Sequence, residues 1–174
     1  MDIVIAPNEV LVTPCPPCDL EDPTLRDLAD GMLEIMYKYH GIGLAAPQVG
    51  VLKRLFVMDL SWTDKKKEPT IFINPEIVEL SGELETDGEG CLSLPGITVP
   101  ITRKSYAVVK FSDFDGNEWV LEGDGLLARC MQHEIDHLDG RLLFNSTAPE
   151  NRIKALKDYE AALAAGAQPG TVGV

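Results

Sequence analysis

The segment QHEIDHLDG, residues 132–140, constrains the fold more than any other part of the chain. Its two histidines, His133 and His137, are four residues apart, and the whole chain of 174 residues contains three histidines. Residues four apart lie on one face of an α-helix, about 6 Å apart along its axis. We therefore predict a helix that presents both imidazoles to one metal ion, with Glu134 offset around the helix and within reach of a water on that ion.

Two histidines do not complete a catalytic metal site, so a third ligand is needed. The pattern in which a third histidine follows six residues after His137 is excluded, because residue 143 is leucine. Glu160 and Cys91 remain as candidates, with His40 as a weaker choice. The spacing does not decide between Glu160 and Cys91. The context favours Cys91, because its neighbouring glycines allow the backbone to approach a site closely and a thiolate binds zinc or ferrous iron strongly.

The remaining patterns predict an α+β fold. Antiparallel or mixed β-sheets should pack around the central HExxH helix, with one helix near each terminus. Residues 1–164 are expected to form a single domain, followed by a disordered tail over residues 165–174. The predicted elements are an N-terminal helix that begins near Asp22 and ends by Gly41, strands at 54–60 and 70–80, an irregular segment or short strand at 86–96, a hairpin of 106–112 and 118–122, the motif helix from 124 to 140 and a last helix at 148–164.

The charge balance disfavours several classes of function. The chain has 15 Lys and Arg against 28 Asp and Glu, a net charge of −13. Such a chain is not expected to bind nucleic acid directly or to dock on anionic membranes. No apolar run reaches the ~18 residues that span a bilayer, and the first residues do not resemble a signal peptide. These observations predict a cytoplasmic protein, in which Cys15 and Cys18 are interpreted as incidental surface cysteines.

Three segments together resemble the motifs of the peptide deformylase family. They are GIGLAAPQ at 41–48, EGCLS at 89–93 and QHEIDHLDG at 132–140, in this order, and the resemblance covers roughly residues 1–160. It implies a metal-dependent hydrolase that removes the formyl group from N-formylmethionyl nascent peptides and releases formate. Proximity to the ribosome is then possible. A basic docking helix is not expected, since Arg152, Lys154 and Lys157 are offset by Glu150, Asp158 and Glu160.

The resemblance also implies roles for individual residues. Glu134 is the general acid/base, while the side-chain amide of Gln48 and the backbone N–H of Leu92 stabilise the oxyanion. Gly43 matches a position that contacts the peptide. Ferrous iron is the implied physiological ion, with zinc, nickel or cobalt as alternatives. The implied metal ligands are Cys91, His133 and His137, and the predicted substrate-binding residues are Gly43, Gly90, Leu126, Arg129 and Cys130.

The chemistry expected of this set is attack by a metal-bound water on the formyl carbon. Glu134 would take the proton from the water and then give it to the leaving amine. Leu126, Arg129 and Cys130 precede His133 by seven, four and three residues, so they lie on the ligand face of the helix and should line a pocket for methionine. Arg129 stands where an aliphatic residue is common in the family, and its charged head is expected to reach solvent.

The HExxH motif also permits two other interpretations of function. The first is a zinc endopeptidase that uses His133, His137 and Glu160 and has no need of Cys91. The second is a metal-binding module without catalysis, in which Cys130 closes a four-ligand site.

Overall fold

The strands of the computed structural model, which describes residues 1–173, form one antiparallel sheet in the order of the chain, β1-β2-β3-β4-β5. Two short 3₁₀ segments, Glu9–Val12 and Ala46–Val49, accompany the regular elements. The strands are β1 (Gly43–Ala45), β2 (Leu55–Met58), β3 (Thr70–Cys91), β4 (Leu94–Ser112) and β5 (Glu118–Asp124), and the helices are α1 (Leu25–Lys38), α2 (Gly125–Leu138), α3 (Leu143–Ser146) and α4 (Pro149–Ala164).

Strands β3 and β4 form a long hairpin that the sequence did not predict. Residues 84–91 pair with residues 94–104, and Cys91 faces Leu94 across the closing turn. The prediction of an irregular segment or short strand at 86–96 is therefore wrong for most of its length. Cross-strand hydrogen bonds outweigh the weak strand propensity of the glycines and acidic residues there. The consequence for the site is that Cys91 occupies a defined position at the end of a strand.

The core of the domain lies between the sheet and its helices. The rings of Phe56 and Phe72 stack with centroids 4.2 Å apart, and the Phe111 ring packs against Phe72 at a tilt, with centroids 4.3 Å apart. Met131 and Ile135 of α2 pack in the same cluster. Full burial of each such side chain typically stabilises the fold by about 1.5–3 kcal/mol. Helix α2 is thereby fixed against the inner face of the sheet, as the sequence predicts.

Helix α2 ends where the sequence predicts, because the chain approaches itself closely at Gly140. This residue has a φ of +74°, a conformation that favours glycine. A Cβ atom there would lie 2.9 Å from backbone atoms of Val12. The N-terminal segment therefore packs directly on the end of the motif helix.

Cys15 and Cys18 are not surface residues, so that interpretation is wrong. Both thiols are free, and the residues are only 7% and 9% exposed. Burial raises the pKa of Cys15 to about 11, against a weaker lowering by Arg54. Both cysteines therefore serve as packing residues near the N-terminus.

The described part of the tail, residues 165–173, contains no helix or strand. It lies beside the start of β4, where the Gly96 N–H donates to the Thr171 carbonyl at 3.1 Å. Disorder of residues 165–174 stays a prediction, and Val174 lies outside the described residues. Among the residues described, no helix combines the length and apolar character needed to span a membrane.

Candidate active site

Three side chains with metal-ligating atoms converge at the end of β3 and the middle of α2. The Cys91 Sγ lies 3.3 Å from the His137 Nε2, which lies 3.2 Å from the His133 Nε2. All three atoms are within 4.8 Å of one another, and no other group of three such donors occurs among residues 1–173. Burial lowers the pKa of His137 well below its ordinary value, so this imidazole is in the neutral form that binds metals.

Glu89 orients the first of these histidines. Its Oε1 lies 2.8 Å from the His133 Nδ1, and Arg103 holds the same carboxylate through Nε at 2.7 Å and Nη2 at 2.9 Å. Burial raises the pKa of Glu89, but the hydrogen bonds from His133 and Arg103 outweigh this and hold it at about 2. An ionised Glu89 keeps a proton on the His133 Nδ1, so Nε2 is the nitrogen that would bind a metal.

Arg103 connects this carboxylate to α2. Its Nη1 donates to the Asp136 Oδ2 at 2.9 Å, and the Ser146 hydroxyl donates to the same oxygen at 3.0 Å. Sequence reasoning missed Glu89, Arg103 and Asp136. The available signal was the position of Glu89 within the EGCLS motif, two residues before Cys91.

Gln48 and Leu92 bring hydrogen-bond donors to the same place. The Ala45 N–H donates to the Gln48 Oε1 at 3.0 Å, so the amide nitrogen points the other way, 3.4 Å from the Cys91 Sγ and 3.2 Å from the Ser93 Oγ. Leu92 follows Cys91 in the turn between β3 and β4, and its N–H donates to no acceptor among residues 1–173. The Gln48 amide is thus oriented by Ala45, while Leu92 is placed by the turn that follows the thiol, and both residues line the cavity beside Cys91.

Glu134 faces the site without a partner. The residue is 4% exposed, and its Oε2 is buried with no hydrogen bond to any described residue. Burial raises its pKa to about 7; the charge of His133 opposes this rise and that of Glu89 adds to it. A carboxyl group with this pKa can accept and return a proton near neutral pH.

A cavity of about 570 Å³ opens in front of these groups. Gln48, Leu92 and Glu134 lie on its wall, and so do Gly170–Gly173 of the tail. The wall also contains all five predicted substrate-binding residues, namely Gly43, Gly90, Leu126, Arg129 and Cys130.

Comparison with known proteins identifies the family. The family model described as polypeptide deformylase matches residues 1–152. The peptide deformylase of Thermodesulfovibrio yellowstonii is 47% identical over 160 residues, which cover 92% of this chain and 96% of the relative. The chain belongs to the polypeptide deformylase family. It is therefore an enzyme of the class that hydrolyses formylated peptides, as the motifs predict.

Solved deformylase structures share the fold. The crystal structure of a peptide deformylase from Synechococcus elongatus in complex with actinonin has a TM-score of 0.84 and 39% identity, covering 99% of this chain and 92% of that one. The enzyme from Legionella pneumophila has a TM-score of 0.85 and 38% identity, covering 95% and 97%. The predicted single-domain α+β fold with an antiparallel sheet is thus confirmed.

One predicted pocket residue behaves differently from the expectation for deformylases. The head of Arg129 binds protein groups instead of extending into solvent: its side chain is 14% exposed and its Nη1 lies 2.7 Å from the Glu89 Oε2. Leu126 is 53% exposed at the cavity mouth, whereas Cys130 is buried. The prediction that the head of Arg129 faces solvent is therefore wrong, because Arg129 forms an ion pair with Glu89, 40 positions away in sequence.

The rival ligands lie apart from the convergent group. Glu160 is exposed on α4, and His40 is exposed and stacks on Trp62 with ring centroids 6.0 Å apart. Neither belongs to the group of three donors found among the described residues, and Cys130 does not belong to it either. The geometry thus favours neither the endopeptidase set nor the closed four-ligand site.

Gly43 offers a first test of the site, because a side chain there would collide with Glu134. A Cβ atom at Gly43 would lie 2.5 Å from the Glu134 Oε1 and 3.0 Å from the Cys130 Sγ. We expect Gly43→Ala to lower kcat for formate release by roughly tenfold to 100-fold, because a displacement near 1 Å can cost about that much. Bound metal, measured by elemental analysis, should not change.

The comparison variant is Gly90→Ala on the same cavity wall. There an added Cβ would meet only the Ile97 carbonyl oxygen at 4.0 Å, an ordinary contact distance. Its kcat should fall by a smaller factor than that of Gly43→Ala. Equal losses in the two variants would show that the contact with Glu134 is not the cause.

Proposed function

We propose that this enzyme is a metal-dependent deformylase that removes the formyl group from N-formylmethionyl peptides, including nascent chains in the cytoplasm, and releases formate. The observation that carries the proposal is the convergence of Cys91, His133 and His137 beside an unpartnered Glu134. Cys91, His133 and Glu134 lie on the wall of one cavity. The donors supply what a hydrolytic metal site needs, and the carboxyl group supplies a proton carrier next to it.

The three side chains fit a divalent ion. With a metal bound, one thiolate and two imidazoles, each neutral in that state, would suit Fe²⁺, Zn²⁺, Ni²⁺ or Co²⁺, and we propose Fe²⁺ as the physiological ion on the strength of the family motifs. The hydrogen bond from His133 to Glu89 supports this fit, since it leaves the His133 Nε2 free to coordinate. When bound, the ion would supply a Lewis acid that lowers the pKa of water.

Glu134 is proposed to move the proton in both halves of the reaction. With a pKa of about 7 it is ionised often enough to take a proton from the attacking water. Once protonated, it is placed to give that proton to the amine that leaves. Its lack of a protein partner on Oε2 supports this role, because a partnered carboxylate would be a poorer base.

The negative charge that develops on the former carbonyl oxygen is proposed to interact with Gln48 and Leu92. The Gln48 amide nitrogen is held towards the site by the Ala45 N–H bond to its oxygen, and the Leu92 N–H is directed by the turn after Cys91. One such donor typically contributes about 3 kcal/mol in the transition state.

Specificity for methionine is proposed to arise in the cavity in front of α2. Leu126 and Cys130 present apolar atoms one helical turn apart, and Arg129 lines the same wall. The backbones of Gly43 and Gly90 are proposed to contact the peptide chain. A flexible, unbranched apolar side chain suits a wall of this kind.

The direct test of this proposal measures formate release from formyl-Met-Ala-Ser by the enzyme loaded with one equivalent of Co²⁺. We expect formate to be released and no internal peptide bond to be cut in an unformylated peptide. Glu160→Ala should have full activity, because Glu160 is exposed on α4. Internal cleavage that depends on Glu160 would instead support the endopeptidase interpretation.

Gln48→Ala tests the oxyanion contact separately. We expect kcat for formate release to fall by about 10²–10³-fold with little change in KM, because the donor is required mainly in the transition state. Metal content must be measured in parallel, since the amide also lies 3.4 Å from the Cys91 Sγ.

The matched control is Ser93→Ala, which removes the other partner of the Gln48 amide, at 3.2 Å. The Ala45 N–H still fixes the amide in that variant, so kcat should change by less than about tenfold. An increase in KM without a loss in kcat for Gln48→Ala would exclude the oxyanion role.

A further inference from the structure

Arg129 makes three short hydrogen bonds to protein acceptors, which a residue that only lines a substrate pocket would not need. Its Nη1 donates to the Glu89 Oε2 at 2.7 Å and to the Ile101 carbonyl at 2.9 Å, and its Nη2 donates to the Glu85 carbonyl at 2.9 Å. Glu85 belongs to β3 and Ile101 to β4. One side chain of α2 is therefore bonded to both strands of the hairpin whose end carries Cys91.

The Glu89 carboxylate is saturated by the groups around it. Its Oε1 accepts from the Arg103 Nη2 and the His133 Nδ1, and its Oε2 accepts from the Arg103 Nε and the Arg129 Nη1. Glu89 is 5% exposed, so each of these donors replaces water that the buried carboxylate lacks. Loss of Arg129 would leave Oε2 with Arg103 as its single partner, so Glu89 would keep three of its four hydrogen bonds and be held less tightly.

We propose that Arg129 is a positioning residue for the metal centre, which holds the His133 imidazole in place through Glu89 and sets the distance between α2 and Cys91. Two ligands come from α2 and the third from β3, so the geometry of the set depends on how these elements are joined. Arg129 lies one helical turn before His133, at the point where α2 meets the hairpin. The inference rests on the metal site described under the proposed function.

The test replaces Arg129 by methionine, which retains an unbranched apolar stem on the cavity wall and removes the guanidinium. The affinity of each metal-free protein for Co²⁺ is measured by competition with a chelator, and the melting temperature is recorded with and without Co²⁺. We expect Arg129→Met to bind Co²⁺ ~10–100-fold more weakly than the wild type, the loss typical when a partner of a ligand is removed. The rise in melting temperature on metal binding should shrink accordingly.

The matched control is Arg54→Met. Arg54 also bonds a carboxylate near the end of α2, Asp139 at 2.8 Å, and a backbone carbonyl, that of Pro75 at 3.2 Å. Its loss should lower the melting temperature of the metal-free and the Co²⁺-bound protein alike, while the affinity for Co²⁺ stays within about threefold of the wild-type value. A role of Arg129 in stability alone would give this same pattern and would overturn the proposal.

A second variant decides the matter if Arg129→Met does not fold. In Arg129→Lys the positive charge beside Glu89 is retained, but one ammonium group cannot bond three acceptors in the fixed geometry of a guanidinium. We expect an intermediate loss of Co²⁺ affinity, about three- to tenfold. Wild-type affinity in a folded Lys or Met variant, or a change confined to KM for the peptide, would overturn the positioning role. Failure of the wild type to bind Co²⁺ would instead exclude the metal site itself.

Discussion

Glu134→Gln is expected to lower kcat for formate release by about 10²–10⁴-fold while the metal remains bound. Glutamine fills the same space next to Gly43 but cannot accept the proton of the attacking water. None of the three converging donor atoms belongs to Glu134, so elemental analysis of the variant should find one ion per chain. Activity within tenfold of the wild type would show that another group carries the proton.

Although Glu134→Gln should lower kcat, it should make the metal-free protein more stable at alkaline pH. Burial raises the folded-state pKa of Glu134 from 4.5 to about 7, so the folded state favours the protonated carboxyl. This contribution to stability is complete below about pH 4.5 and is lost as the pH rises through 7. At about 1.36 kcal/mol per pH unit, the loss is on the order of 3 kcal/mol.

Glutamine has no proton to lose, so Glu134→Gln should unfold at higher denaturant concentration than the wild type at pH 8. The difference between the two metal-free proteins should disappear near pH 4.5. Glu160→Gln, an exposed position on α4, is the control and should shift stability by less than about 0.5 kcal/mol at either pH. A wild type as stable as the variant at pH 8 would mean that water solvates Glu134 in the folded state.

The parts of this site that lie on one helix were predictable from sequence. His133 and His137 share a helical face by their spacing, and the structure places both Nε2 atoms 3.2 Å apart. Cys91 could be favoured only by its context and by the family motifs, because its distance from α2 depends on how β3 folds. The glycines and acidic residues around it obscured the strand pairing that sets that distance.

The ion-pair network behind the histidines was not predictable in the same way. Glu89, Arg103 and Arg129 come from three different elements, and nothing in local periodicity relates residues 14 or 40 positions apart. Charged residues are usually exposed, so the sequence led us to expect the head of Arg129 in solvent. The guanidinium instead binds the buried Glu89 carboxylate, since a buried charge needs partners.

Cys91→Ala is expected to remove formate release altogether and to weaken metal binding by at least ~10²-fold. The substitution removes a ligand, so the loss should exceed the ~10–100-fold typical for a residue that only supports a ligand. Two imidazoles on one helix face would remain, and they bind a divalent ion weakly without a third donor. Co²⁺ affinity by chelator competition and formate release with excess Co²⁺ measure the two effects.

Cys130→Ala is the matched control, because it removes the other thiol beside the site. Burial, together with the charge of Glu134, raises the pKa of Cys130 well above that of an ordinary thiol, so the group is a protonated packing residue. We expect one ion per chain and less than tenfold loss of activity in this variant. Loss of the ion from Cys130→Ala as well would support a closed four-ligand site. Persistent activity in Cys91→Ala would instead indicate that Glu160 is the third ligand. The pair of variants therefore distinguishes the deformylase ligand set from both of its rivals. The deformylase set requires Cys91 but not Cys130, the endopeptidase set requires neither cysteine, and the closed four-ligand site requires both.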